Sequence, residues 1–176
     1  MADPTQPLSE TPVTMAQIER LQAAARTATA ALLVLVDPRR TAERAAFFRS
    51  LQPQPEDYKQ VFRPEAAPRA RAFYEAMWAQ PMEMAWNLRQ TELRVAAAFA
   101  EDFAAWNARA EPFPGGYRDL APHLQPGIIW LRWEMKEPGE LYGLSADGLV
   151  LLGERLVWFP RPFVALTAPL PGRGNP

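Results

Sequence analysis

Asp119, His123 and Ser145 are the side chains whose types and spacing come nearest to a nucleophilic site. Four residues apart, Asp119 and His123 would share one face of a helix, the carboxylate orienting the imidazole and the imidazole taking the proton of the Ser145 hydroxyl. Three features argue against that use. The stretch Gly-Leu-Ser-Ala-Asp at 143–147 departs from the G-x-S-x-G elbow at its last position, Ser145 leads into hairpin sequence rather than a helix, and Pro122 disturbs the helix the dyad needs. The chain has one His, serines only at 9, 50 and 145, and no Cys, so no other nucleophile and base stand in for this set, and no catalytic residue is assigned. The carboxylate pairs Glu56-Asp57 and Glu101-Asp102 are adjacent in sequence and so point to different sides of a helix, as solvated first turns do. The sequence has no H-x-x-x-H, no H-E-x-x-H and no acidic calcium loop, and no metal or cofactor is expected.

The elements that would position any site come from periodicity and turn chemistry. From Gly127 onward the sequence carries turn signals at Pro138-Gly139, Asp147-Gly148 and Gly153-Glu154. Pro presets φ at the first corner, Asp-Gly suits a type I′ hairpin and Gly-X a type II′ hairpin, which predicts a C-terminal four-stranded antiparallel meander. Gly148 leads into Leu149-Val150-Leu151-Leu152 rather than a helix, so the glycines at 143, 148 and 153 read as backbone devices and not as a phosphate cradle. Gly143, inside a strand, marks a bulge or a close approach of another segment.

With two-residue turns, side chains separate by parity. One face collects Ile129, Leu131, Trp133, Met135, Tyr142, Leu144, Leu149, Leu151, Leu156 and Trp158 and is the expected core face. The other collects Ile128, Trp130, Arg132, Glu134, Lys136, Ser145, Val150, Leu152, Arg155, Val157 and Phe159. That mixed face is either half-covered by helices or a recognition surface, because Trp and Arg are favoured at binding hot spots. On this second reading Trp130, Arg132, Glu134, Arg155 and Phe159 are the candidate partner-binding residues, with Trp133 packed and Trp130 accessible.

The front half reads as helical. Thr14 with Gln17 forms a capping box, and Val13 and Ile18 sit at the positions of a hydrophobic staple. Asp37-Pro38 ends the first helix and starts a second that runs to Pro53, Pro55 with Glu56 and Asp57 opens a third, and Pro68 to Ala79 forms a fourth. Residues 91–99 fit either strand or helix and are read as a short strand followed by a helix. Residues 1–12 and 168–176 read as disordered tails around a single α+β domain at 13–167, with N-terminal helices packed on the sheet. This element order resembles that of the steroid-isomerase-like cone folds, in which helices close over a bent sheet; the resemblance covers topology alone.

Nineteen basic and 20 acidic side chains leave a net charge of −1, which gives no electrostatic basis for binding nucleic acid or an anionic membrane. The absence of Cys fits a cytoplasmic location. The longest strongly apolar run, Ala30 to Val36, is far short of the ~20 residues needed to span a bilayer. The expectation is a non-enzymatic interaction domain, immunity- or adaptor-type, that binds a protein partner through the outer face of its sheet. The alternative is a domain for a small apolar ligand, or a cofactor-free enzyme, with a pocket between helices and sheet.

Overall fold

Helices come first because the sequence signals for starting them are strong. In the computed structural model, which describes residues 13–82, 84 and 87–167, helix α1 spans Met15–Val36. The Gln17 N–H donates to Thr14 Oγ1 at 3.2 Å and the Thr14 N–H to Gln17 Oε1 at 2.9 Å, completing the capping box. Asp37 ends α1 and accepts the Arg39 N–H, opening a short 3₁₀ turn, Pro38–Glu43. Helix α2, Arg44–Ser50, follows at once, and its buried Arg44 turns back to donate to the Val34 carbonyl of the last turn of α1. Helices α3, Asp57–Val61, and α4, Ala67–Trp78, complete the front half. The two tails expected at 1–12 and 168–176 lie outside the described residues.

The sheet has four antiparallel strands in the order β1-β2-β3-β4, with β1 at Glu92–Phe99, β2 at Ile129–Lys136, β3 at Leu144–Leu152 and β4 at Arg155–Trp158. The architecture is α+β, as expected, and residues 92–99 are the expected short strand, followed by a helix and paired along their whole length with β2 from Glu92↔Lys136 to Phe99↔Ile129. The part beyond Gly127 holds three strands and not four. Asp147-Gly148, expected to turn a hairpin, instead lies inside β3.

The physical reason is a bulge. Leu131 pairs with Leu149 and Trp133 with Ala146, so β3 spends three residues where β2 spends two. Gly148 takes φ +86°, and a Cβ there would overlap the Phe159 carbonyl oxygen, so only glycine fits. Gly143 is a close approach, since a Cβ would overlap the Met135 carbonyl.

Between β1 and β2 the chain makes a helical excursion through α5, Ala100–Ala105, and α6, Tyr117–Leu120, with a 3₁₀ turn at Ala121–His123; α7, Pro162–Thr167, follows β4. Both faces of the sheet are thereby covered. On one, Leu131, Trp133, Met135, Leu149, Leu156 and Trp158 pack with Leu21, Ala28, Leu32 and Leu35 of α1 and Phe48 of α2. On the other, Ala98, Trp130, Val150, Val157 and Phe159 pack with Tyr58, Phe62, Tyr74, Phe103 and Tyr117 from α3 to α6. Among the described residues no helix is long and apolar enough to cross a membrane.

Candidate functional site

The residues expected to form a recognition surface on the sheet do not form one. Trp130 and Phe159 are both 0% exposed, in a lattice of rings with Phe62, Tyr74 and Tyr117: Phe62–Phe159 5.3 Å, Tyr74–Phe159 5.2 Å and Tyr117–Trp130 5.9 Å. The expectation of an accessible Trp130 is therefore corrected, because α3 to α7 supply the second apolar layer that a mixed face needs. Arg155, its side chain 37% exposed, is engaged within the protein, ion-paired with the fully buried Asp57, which also accepts the Gln54 N–H at 2.7 Å. Arg132 and Glu134 are half-buried farther along β2, at the end of this face where Arg94 opposes Glu134 across the β1–β2 ladder. Tyr142, expected in the core, is 85% exposed because it lies in the β2–β3 loop and not in a strand.

The Asp119, His123 and Ser145 set is dispersed. The His123 carbonyl accepts the Arg63 N–H at 2.8 Å beside the Phe62–Leu124 bridge, Asp119 is exposed on α6, and Ser145 pairs with Glu134 across the β2–β3 ladder. Among the described residues no three His, Asp or Glu side chains gather where they could hold a metal ion.

Of the three aspartates buried among the described residues, Asp102 and Asp147 have carboxyls shifted in opposite directions. Asp102 caps α5: its carboxylate accepts the Phe99 N–H at 2.8 Å, Asn107 Nδ2 at 2.6 Å, and Arg109 Nε and Nη2 at 3.0 and 2.7 Å. Burial opposes its ionisation, but these donors outweigh it and hold the carboxyl below the usual range. Asp147 accepts the Tyr117 hydroxyl at 2.9 Å. Here burial dominates and raises the carboxyl, although Tyr117 and the Arg161 N–H both favour the charged form. Burial first, then the nearby Asp147 charge, also raises the Tyr117 phenol well above its ordinary value. The Asp147 carbonyl accepts Trp158 Nε1 at 2.9 Å, so this one residue bonds to rings on both sides of the sheet. Buried on every side, the Tyr117–Asp147 pair is a structural tie.

The concavity with binding chemistry lies on the helices, where α3 and α4 leave a notch of about 340 Å³. Its floor is the buried Tyr58, Phe62 and Ala67; exposed Pro55, Pro64 and Pro68 form its walls, with exposed Lys59 and Arg71 beside them. Local sequence explains the shape. Prolines before and at the start of short helices hold the connecting turns apart, and Tyr58 and Phe62, four residues apart, point to one side where they meet Phe159 at 5.7 and 5.3 Å. Arg71 Nε donates to Glu75 at 2.7 Å, whereas Lys59 has no ion pair among the described residues. Burial pushes the Tyr58 phenol up, and the Glu75 carboxylate adds to the rise. An apolar floor between rigid walls, with two cations beside it, suits an apolar group that carries a neighbouring carboxylate. Comparison with family models, curated proteins and solved structures finds no match to this chain.

Proposed function

We propose that the protein is a non-enzymatic interaction protein, adaptor- or immunity-type, whose recognition site is the notch between α3 and α4 and not the sheet. The observation that carries this reading is the pairing of an apolar concavity of about 340 Å³ with Lys59, an exposed cation that has no ion pair among the described residues. Rigid proline walls lose little conformational freedom on binding, so the notch is preorganised for a side chain presented by another protein. Its volume also falls at the low end of the range of small-molecule sites, roughly 300–1,000 Å³, which keeps an apolar carboxylic acid as the second reading. Absence of cysteine fits a reducing cytoplasm as the place of action.

The test is affinity capture from the native host with wild-type protein and with Lys59→Glu/Pro64→Arg, which reverses one charge and obstructs the notch at exposed positions. A stoichiometric protein retained by wild type and depleted at least about tenfold by the variant is the expected result, the scale of one interfacial hot spot. Equal capture by both proteins would remove the notch from consideration.

A further inference from the structure

We infer that the occupant of the notch is the β2–β3 loop of a second copy of this chain, so that the protein associates head to tail. This rests on the reading of the notch as a protein-binding site and names its partner.

The loop, residues 137–143, reads Glu-Pro-Gly-Glu-Leu-Tyr-Gly. At its tip Leu141 and Tyr142 are 81% and 85% exposed. Large apolar side chains so far from cover mark an interaction site when the backbone beneath them is held in place, and here it is. The Glu140 N–H donates to the Glu137 carbonyl at 3.1 Å, Lys136 Nζ to the Glu140 carbonyl at 2.9 Å, and Asn87 Nδ2 to Glu137 Oε1 at 2.7 Å. Gly143 is seated against Met135 with no room for a side chain. The loop is thus a fixed turn that presents a Leu-Tyr pair preceded by two acids.

The notch offers the complement: an aromatic and proline surface of about 340 Å³ with the exposed Lys59 at its edge as the cation for Glu140, Arg71 beside it being already paired with Glu75. The two sites cannot meet within one chain. Phe62 of the notch floor packs on Trp130 near the start of β2, while the loop begins after the end of that strand, seven residues and about 23 Å farther on. Complementary patches at opposite ends of one sheet, joined head to tail, make a heterologous contact, which propagates from copy to copy or closes into a ring.

Sedimentation of the full chain up to about 1 mM, the range in which small interfaces associate, should show species growing beyond the dimer with concentration. Tyr142→Ser and Lys59→Glu, both at exposed positions, should each weaken association at least about tenfold with unchanged circular dichroism. A one-to-one mixture of the two variants retains one intact loop and one intact notch per pair, and should form dimers and nothing larger. Wild type that stays monomeric, association indifferent to either substitution, or a mixture that does not recover would each overturn the inference. A monomer that still captures a host protein through the notch would overturn the loop as occupant and leave the notch as a site. A monomer whose capture is equally indifferent to Lys59→Glu/Pro64→Arg would sink both.

Discussion

The two faces of the sheet are covered by different means. The face under α1 and α2 is covered mainly by one 22-residue helix laid along β1, with small Ala24 and Ala28 letting it approach closely. The opposite face is covered by short pieces, α3 to α7, none longer than 12 residues, which interlock through rings. A long amphipathic helix makes a smooth cover, whereas several short helices leave gaps between them. The notch is such a gap, and the difference teaches that this concavity is a product of fragmentation of the cover and not of curvature of the sheet.

The strongest challenge to a two-core description is to remove one tryptophan from each face. Trp133 and Trp130 are both 0% exposed, so Trp133→Ala and Trp130→Ala should each cost roughly 3–5 kcal/mol in chemical denaturation, as large-to-small core changes do. A mild effect at Trp130 alone would show that the short helices are a loose cover. Next in size is the contrast between the two aspartates. Asp102→Asn should lose roughly 1.5–3 kcal/mol at neutral pH, the value of a hydrogen bond to a charged group.

The pH dependence follows in sign from each group. The Asp102 carboxyl is depressed in the fold, so its contribution is complete above its unfolded value of about 4 and is lost as pH falls through the folded value. Asp147 is raised, so its ionisation weakens the fold at neutral pH, and that cost is relieved as pH falls through its folded value. Stability measured from pH 7 to 3 should therefore show a smaller acid-side decline in Asp102→Asn, with Asp37 and Glu43 still contributing to it, and a smaller rise on mild acidification in Asp147→Asn. A profile unaltered by either substitution would break the contrast. The smallest expected effect is at the start of the long helix, where Thr14→Ala should cost about 1 kcal/mol, read from the melting temperature.

The sequence made the helix starts legible because capping is local: Thr14, Gln17, Asp37 and Pro38 act within a few residues of themselves. The division of the sheet into faces was legible for a subtler reason. A two-residue turn at Asp147-Gly148 and a one-residue bulge at the same place both put Ala146 and Leu149 on one side, so the side-chain sets come out alike although the pairing does not. What local sequence could not reveal is which strand pairs with which, a matter of segments 30 residues apart such as β1 and β2. The burial of Trp130 and Phe159 was hidden for the same reason, since their cover comes from Phe62, Tyr74 and Tyr117, distant in the chain. The notch is not legible from Pro55, Pro64 and Pro68 alone, because a proline before or in the first turn of a helix serves equally to start it. The signal available was Tyr58 and Phe62 four apart, enclosed by prolines, beside one of only two lysines.

The bulge in β3 has a consequence for how the molecule comes apart. Asp147 accepts the indole N–H of Trp158 through its carbonyl and the phenol of Tyr117 through its carboxylate, while the Gly148 carbonyl accepts the Phe159 N–H at 2.8 Å. From the same two residues one of these bonds reaches the layer of Trp158 and two reach the layer of Tyr117 and Phe159. Neither layer can open without withdrawing an acceptor from a buried donor that belongs to, or adjoins, the other, and an orphaned buried donor is expensive. The two sides of the sheet are therefore expected to unfold together as one cooperative unit rather than as two foldons.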